Sequence, residues 1–364
     1  MVSSLAYKTE LGGALTGLRG IAAMVIVGHH LLLRLGPVDE VLMGLELRGY
    51  LAVDVFFVLS GFVMAVGYGT WFVGQRTGWP VVREYLDFMS RRVARVWPLH
   101  AAVLAILLLD GAVRHTGEFW PRMVLTNLLL VQSWGFSQTA IVPAWSVSTE
   151  MLAYAMFPLL GGVALRRGPG VAWLGLAGAV ALVVAAVELS PNGPGQRGAL
   201  DLHQNWSLLP AMRCLGEFSV GLLTWRALQD GRVWALVARR GVVAVVAALV
   251  VLLLGVGAPD LVVVACIPAL IASLYAGKGA GVRLLAGRVL QAVGRGSYAM
   301  YLIHYPVLVL TGALVTLPWL VPAFISLLLP ATLAAYWLVE RPAQLALRRW
   351  SANSLTPVPA LAAR

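Results

Sequence analysis

An apolar run near the N-terminus carries ionisable side chains at regular spacing. Residues 15–30 read LTGLRGIAAMVIVGHH and contain Arg19 and the pair His29 and His30. Ionisable groups inside a membrane-length apolar segment are costly, so each one is a candidate functional residue. Arg19 and His30 are close to three helical turns apart, which places both on one helix face about 16 Å apart along the axis. His29 points about 100° away from that face and is assigned to packing.

Two carboxylates fall at a depth similar to that of His30 when the apolar stretches are aligned as membrane spans. Asp54 in YLAVDVFFVLSGF and Glu150 in PAWSVSTE each lie a few residues below the outer start of a span. A carboxylate bonded to one imidazole nitrogen fixes the tautomer and makes the other nitrogen a stronger base. We therefore predict a general base at His30, oriented by Asp54 or Glu150. The alternative is a buried histidine–carboxylate pair that only holds two spans together.

The segment REYLDFMSRRVARVWPLH carries a cluster of basic residues. Arg92 and Arg95 are three residues apart, and Arg91 and Arg95 are four apart, so they share one face at the start of a helix. Guanidinium groups bind phosphate in a bidentate manner, and Arg19 belongs to the same inner surface. The cluster therefore predicts a site for the phosphates of an acyl-CoA whose acyl end reaches toward His30. The alternative is a topogenic anchor that contacts anionic lipid headgroups.

Other side chains have two interpretations each. Trp145 either anchors its span at the membrane interface, which the pattern favours, or stacks on a sugar ring. His304 and Tyr305, in GSYAMYLIHYPV, are either functional or packed in the core. Ser60 and Gly61 predict a close approach of two helices rather than a nucleophilic serine.

The elements that would position these residues are membrane helices. Hydrophobic residues make up 60% and charged residues 12% of the 364-residue chain, and its mean hydropathy is +0.83. Because a soluble protein is nearer half apolar and a quarter charged, we predict an all-α polytopic membrane protein. The two cysteines lie in apolar runs and predict neither a disulfide framework nor a metal site.

The apolar stretches predict about ten transmembrane helices and fix their orientation. With the N-terminus inside, most of the 27 Lys and Arg residues fall on the inner side, which is the positive-inside pattern. Both termini are then cytoplasmic, and the net charge of +11 is explained without a nucleic-acid partner. Residues 118–136 contain Pro121, Arg122 and Asn127 and are predicted to be a re-entrant segment buried in protein. The predicted spans are residues 14–35, 48–68, 93–112, 145–165, 170–189, 208–227, 241–257, 261–277, 296–316 and 321–340.

Motifs in a fixed order resemble those of the acyltransferase-3 family of integral-membrane O-acyltransferases, over about residues 12–343. The family pattern LDGLRGIAAxxVxxxH is matched by LTGLRGIAAMVIVGHH, in which Thr16 replaces the usual Asp. The patterns GVDxFFVLSGF, RRxxRxxP, WSLSxE, YSxYLxHxP and ERP follow in order. Together the motifs place Arg19, His30, Asp54, Ser60, Gly61, Arg91, Arg92, Arg95, Trp145, Ser148, Glu150, His304 and Glu340.

The resemblance implies a membrane O-acyltransferase with its key histidine at His30. It implies an acyl-CoA donor, commonly acetyl-CoA, that enters from the cytoplasm, and an acceptor hydroxyl on the extracytoplasmic side of a bacterial cytoplasmic membrane. The expected acceptor is a carbohydrate or a glycosylated molecule, with no metal involved. The residues expected to bind the acceptor are Trp145, Ser148, His304 and Tyr305. His30 either deprotonates the acceptor directly or is itself transiently acylated.

Three alternatives remain open at this point. The chain could be a transporter or flippase for an anionic or sugar-linked substrate, because intramembrane histidines and carboxylates also form proton relays. It could be a structural subunit of a polysaccharide export complex, or it could acylate a secreted small molecule such as a macrolide. In every case we expect a membrane domain at residues 1–345 and a cytoplasmic tail at residues 346–364, without the additional hydrolase-like domain of many family members.

Overall fold

The computed structural model consists of helices joined by loops. It describes residues 2–36, 40–72, 79–114, 120–165, 168–190, 198–202 and 207–346, and no strand occurs among these residues. The predicted all-α class is therefore confirmed, while the predicted tail lies outside the described residues except for residue 346. The helices are α1 (Val2–Leu35), α2 (Glu40–Arg48), α3 (Ala52–Tyr68), α4 (Trp79–Arg114), α5 (Pro121–Leu128), α6 (Ala144–Ala164), α7 (Pro169–Glu188), α8 (Leu209–Ala227), α9 (Gly231–Val237), α10 (Val242–Gly255), α11 (Asp260–Ala276), α12 (Ala280–Leu285), α13 (Arg288–Arg295), α14 (Ser297–Leu314) and α15 (Leu317–Ala334), with 3₁₀ turns at Gly49–Leu51 and Gly69–Phe72 and π-helical turns at Gln132–Phe136 and Ala335–Glu340.

The membrane-spanning character of the chain is confirmed by helix length and composition. Within the described ranges, seven helices are long and apolar enough to cross a membrane, and α9 and α10, bent by 70°, supply an eighth if they form one span. Two more predicted spans coincide with α8, which has 19 residues but carries Arg213 and Glu217, and with α11, which has 17 residues. Each predicted apolar stretch thus coincides with a helix. The count of ten and the cytoplasmic termini stay predictions.

The helix α4 extends well beyond the span predicted at residues 93–112. It has 36 residues, which corresponds to about 54 Å, whereas the hydrocarbon core of a bilayer is about 30 Å thick. The arginine cluster therefore lies within a continuous helix and not at a helix start. As a result, helical periodicity decides which of its arginines face the protein interior.

Residues 120–143 form no helix of spanning length, as predicted for a partial segment. The helix α5 has eight residues, about 12 Å in length, and Leu130 (φ 58°) and Gly135 (φ 86°) then redirect the backbone. Asn127 is fully buried and stabilises this turn. Its side chain donates to two backbone carbonyl oxygens at 2.9 Å and accepts from the amide of Ala140 at 2.8 Å. Asn127 thus satisfies three backbone groups of this segment within the protein, as irregular backbone at membrane depth requires.

Glycines allow the helices α3 and α8 to make backbone contact. A Cβ atom on Gly61 would lie 1.9 Å from the carbonyl oxygen of Phe218, and one on Gly221 would lie 2.0 Å from that of Val58. Only a residue without a side chain permits this approach. The close approach predicted at the Ser60-Gly61 motif is therefore confirmed, and it fixes the register of α3 against α8.

The N-terminal half of the helix α1 is held by a second set of glycines. A Cβ atom on Gly17 would lie 2.1 Å from the carbonyl oxygen of Leu285, and one on Gly294 would lie 2.0 Å from that of Thr16. Thr16, which replaces the family's usual Asp, therefore contributes its backbone to a contact with α13. The helix α1 also packs against α3 and α14, which places its polar residues beside theirs.

Candidate active site

One partner of His30 is a second histidine. Nδ1 of His30 lies 2.9 Å from Nε2 of His304 on α14, and the two rings are stacked with centroids 5.0 Å apart. The other ring nitrogen of His304, Nδ1, lies 2.6 Å from the backbone carbonyl oxygen of Tyr301. Tyr305 presents its ring edge-on to His30 at 5.4 Å. The helices α1 and α14 thus build one cluster of aromatic and imidazole rings.

Two members of this cluster border a cavity of about 410 Å³, a size typical of small-molecule sites. His30 and Tyr305 line the cavity together with polar groups from α1, α8 and the loop before α8. His29 also borders it, but that residue is 2% exposed and its Nδ1 lies 3.2 Å from the carbonyl oxygen of Leu45, as expected of a packed histidine. The other polar and aromatic lining residues are Arg34, Tyr50, Trp145, Asp201, Arg213 and Tyr301.

Asp54 is paired with a buried arginine, which corrects the expectation that it orients His30. Nε and Nη2 of Arg213 donate to the two carboxylate oxygens of Asp54 at 2.9 and 2.6 Å. Asp54 is 0% and Arg213 1% exposed, and Nη1 of Arg213 donates to the carbonyl oxygen of Leu200 at 2.6 Å. A buried guanidinium requires a carboxylate partner. Asp54 therefore neutralises Arg213 on α8, a residue whose role the sequence did not reveal.

Glu150 borders a different cavity from His30, which corrects the expectation that it orients His30. Its Oε1 accepts hydrogen bonds from Ser60 and from Tyr154, the latter at 2.6 Å. The start of α6 is itself buried, with Ala144 0% exposed, and the π-helical turn at Gln132–Phe136 packs against this helix. Glu150 therefore borders the cavity of Arg19 and not the cavity of His30.

The second cavity has a volume of about 70 Å³ and is bordered by three of the four predicted basic residues. Arg19, Arg92 and Arg95 line it together with Glu150. The guanidinium of Arg92 lies over the rings of Phe88 and Tyr154, at 5.7 and 5.8 Å from their centroids. Its Nε is buried and has no hydrogen-bond partner within the described part of the chain. The structure therefore confirms that these arginines from α1 and α4 come together.

Arg91 is separated from this group by the periodicity of α4. Its Nη2 lies 2.7 Å from a carboxylate oxygen of Asp87, one turn earlier in the same helix. Arg91 is not among the described residues that border the second cavity. The expectation that all three arginines of the cluster form one binding face is therefore wrong for Arg91.

Comparison with known proteins identifies the family of the chain. The sequence profile of the acyltransferase-3 family, described as an acyltransferase domain, matches residues 13–341. The chain belongs to the acyltransferase-3 family. The resemblance noted in the sequence motifs is thus confirmed over nearly the whole chain. No solved structure matches the chain.

Curated relatives of this acyltransferase include two proteins that carry activity names. Acyltransferase MdmB of Streptomyces mycarofaciens is 31% identical over 81% of this chain and 78% of its own length. YrhL of Bacillus subtilis (strain 168), named provisionally as a peptidoglycan O-acetyltransferase, is 24% identical over 82% of this chain and 48% of its own length. Protein 2 in the picA locus of Rhizobium radiobacter is 31% identical over 48% of this chain. The chain is an O-acyltransferase enzyme and a multi-pass membrane protein.

The residues expected to bind the acceptor occupy different positions in this acyltransferase. Trp145 is 7% exposed and forms part of the larger cavity's wall, with Arg213 over its ring at 5.6 Å, so it is not an interfacial anchor. Ser148 is 0% exposed and accepts from the backbone amide of Ser133 at 3.2 Å. The described lining of the two cavities includes neither Ser148 nor His304, which is also 0% exposed.

Buried Ser148 and His304 are therefore unlike residues that touch an acceptor. Ser148 instead links α6 to the π-helical turn at Gln132–Phe136. His304 contacts His30 behind the cavity wall. Tyr305 lines the larger cavity, and its contact with an acceptor stays a prediction.

Tyr301 borders both cavities, and sequence reasoning missed it. Among the described residues it is the one that appears in the lining of each. Its hydroxyl lies 2.7 Å from Oγ of Ser146 and donates to the carbonyl oxygen of Pro143 at 3.0 Å. Tyr301 thus forms a wall between the two cavities. Its position one turn before His304 was the available signal, because residues at that spacing share a helix face. Arg213 was likewise signalled by being ionisable inside an apolar span.

Proposed function

We propose that this enzyme transfers an acetyl group from cytoplasmic acetyl-CoA to a hydroxyl group of an extracytoplasmic carbohydrate or glycosylated acceptor. The observation that carries the proposal is the position of two cavities along α1, one bordered by Arg19 and the other by His30. The family supplies the acyl-transfer activity, and the name of YrhL supports an O-acetyl product on a glycan. The basic inner side of the chain supports a bacterial cytoplasmic membrane as its location.

The smaller cavity is the proposed entry for the donor. Arg19, Arg92 and Arg95 repel one another unless an anion lies among them, and Glu150 supplies one carboxylate. A phosphate oxygen would accept from the buried Nε of Arg92, which otherwise is a costly unsatisfied donor. A volume of about 70 Å³ admits a phosphate group or a thin chain but not a nucleotide. The nucleotide of the donor therefore stays outside, toward the exposed part of α4, and the thioester arm points along α1.

The larger cavity is the proposed acceptor site. Its volume of about 410 Å³ accommodates a sugar ring, and Trp145 and Tyr305 offer aromatic faces on which such a ring can pack. Arg34 and Asp201 add hydrogen-bonding groups for hydroxyls on the same lining. A cavity wall that combines aromatic and polar groups suits an amphipathic sugar better than a purely apolar ligand.

His30 is the proposed catalytic residue. As the acceptor oxygen attacks the thioester carbonyl carbon, His30 takes the proton of the hydroxyl. The carbon–sulfur bond then breaks, the ester is formed, and the proton passes to the thiolate to give coenzyme A. In the alternative route His30 itself attacks and carries the acyl group before the acceptor does. Both routes require one unprotonated imidazole nitrogen of His30 facing the cavity.

Acetyl-CoA binding and coenzyme A release by the purified protein in lipid nanodiscs test this proposal, with peptidoglycan disaccharides as the acceptor probe. We expect His30→Ala to bind acetyl-CoA normally and to release no coenzyme A. Arg92→Ala/Arg95→Ala should weaken binding at least tenfold, because charge-assisted hydrogen bonds contribute about 1.5–3 kcal/mol each. Arg91→Ala is the matched control, since that residue pairs with Asp87 instead.

Three results would overturn parts of the proposal. If the wild-type protein does not bind acetyl-CoA, the donor assignment fails. If Arg91→Ala weakens binding as much as the double variant, the smaller cavity is not the phosphate site. If folded His30→Ala releases coenzyme A at the wild-type rate, His30 is not the catalytic residue.

A further inference from the structure

A chain of two hydrogen bonds runs from the backbone of α14 to His30, and its first bond fixes a proton. The carbonyl oxygen of Tyr301 can only accept, so Nδ1 of His304, at 2.6 Å, must be the protonated nitrogen. A neutral imidazole carries one proton, which leaves Nε2 of His304 as an acceptor. This assignment follows from the bonding partners and does not depend on observing hydrogens.

The second bond carries the assignment to His30. Nδ1 of His30 lies 2.9 Å from Nε2 of His304, and because the latter is an acceptor, the former must donate. The proton of the neutral His30 ring is then on Nδ1, and Nε2 is its unprotonated nitrogen. That nitrogen is the one a base or a nucleophile requires, and His30 borders the larger cavity. The tautomer of His30 is therefore determined by the backbone carbonyl of Tyr301, through two successive hydrogen bonds.

We propose that His304 is the positioning residue of this acyltransferase, which holds His30 in the tautomer with an unprotonated Nε2. The role is the one that a buried aspartate has in a Ser-His-Asp triad, where it orients the base without becoming protonated. This inference rests on His30 being the catalytic residue. It also replaces the earlier expectation that Asp54 or Glu150 provides the orientation, since both carboxylates bond elsewhere.

Burial explains why a histidine can fill this position. His304 is 0% exposed, and a carboxylate at the same place would bring an additional charge into a membrane-embedded core at considerable cost. A neutral imidazole accepts the same hydrogen bond without that charge. When His30 takes the acceptor's proton at Nε2, it becomes cationic, and its Nδ1–H bond to His304 becomes charge-assisted and therefore stronger. The proton leaves again with the coenzyme A thiolate, so the pair returns to its starting state.

Two amide variants that differ by one methylene group separate this role from simple packing. In His304→Gln the amide oxygen takes the place of Nε2 and can accept from His30. In His304→Asn the shorter amide can still donate to the carbonyl of Tyr301 but does not reach His30. We expect kcat for coenzyme A release to fall about 100-fold or more in His304→Asn, within the range for a lost acid–base function. His304→Gln should stay within about tenfold of wild type, and KM for acetyl-CoA should change less than about twofold in both.

A spectroscopic measurement tests the tautomer independently of activity. Solid-state ¹⁵N NMR of histidine-labelled wild-type protein in lipid, with His30→Ala for assignment, reports which nitrogen of His30 carries the proton. We expect Nδ1–H in the wild type. An Nε2–H tautomer overturns the proposal, and so does equal kcat in folded His304→Asn and His304→Gln. If instead the wild type releases no coenzyme A, or His30→Ala is fully active, the proposed function fails while the NMR result still decides the tautomer.

Discussion

Replacing Asp54 by Asn removes the negative charge that faces a fully buried arginine. The carboxylate accepts from Nε and Nη2 of Arg213 at 2.9 and 2.6 Å, and Arg213 is 1% exposed. If Asp54 serves to neutralise Arg213, the main effect of Asp54→Asn is on stability. If Asp54 orients His30, as its sequence position suggested, the main effect is on the rate of acyl transfer.

The size of the stability effect follows from the surroundings of Arg213. Removing one partner of a buried ion pair costs about 3–5 kcal/mol, because the other charge is left buried and unpaired. Two contacts reduce this cost here. The new amide oxygen still accepts one hydrogen bond, which contributes about 1 kcal/mol, and Oε1 of Glu217 remains 3.5 Å from Nε of Arg213. We therefore expect the free energy of unfolding to fall by about 2–3 kcal/mol.

Titration with SDS in mixed micelles measures this free energy, and coenzyme A release is followed on the same preparation. Asp87→Asn is the matched control, because it breaks an arginine–carboxylate pair in which the Arg91 side chain is 36% exposed. Pairs of this kind contribute about 1 kcal/mol or less. The reasoning is refuted if Asp54→Asn has the same free energy of unfolding as wild type. If that variant also loses acyl transfer, Asp54 acts in the chemistry at His30.

Two further predictions concern the helix contact and the wall between the cavities. Gly61→Ala places a methyl group 1.9 Å from a carbonyl oxygen of α8, so α3 and α8 must separate, and we expect a loss of about 1–3 kcal/mol in the same titration. In the control variant Gly162→Ala the added methyl group meets no atom within 4 Å, so its free energy of unfolding should equal or slightly exceed that of wild type. An equal loss of stability in Gly61→Ala and Gly162→Ala would contradict the contact between α3 and α8. Tyr301→Phe removes the hydroxyl that bonds to Ser146 and Pro143. Each of these hydrogen bonds contributes about 0.5–1.5 kcal/mol to stability. Because Tyr301 forms the wall between the two cavities, we expect the rate of acetyl-CoA hydrolysis in the absence of acceptor to rise about fivefold or more. A decrease in this rate would mean that the hydroxyl takes part in transfer.

Local patterns in the sequence were sufficient to predict the helices and the family. Each predicted apolar stretch coincides with a helix, because hydropathy over some 20 residues reports directly on burial in lipid or protein. The alignment of Arg19 with His30 also needed only the periodicity of one helix. The close approach at Gly61 was predictable for the same reason, since a residue without a side chain leaves a local gap.

Only the tertiary structure decided which polar groups meet. Glu150 borders the cavity of Arg19 and not the cavity of His30, although the sequence predicted that Glu150 and His30 lie at one depth. Asp54 faces Arg213 because the glycine contact between α3 and α8 sets their register. His30 pairs with His304, a residue 274 positions away. Partner choice between helices depends on packing, register and the satisfaction of buried charge across the whole molecule, and no single stretch of sequence contains that information.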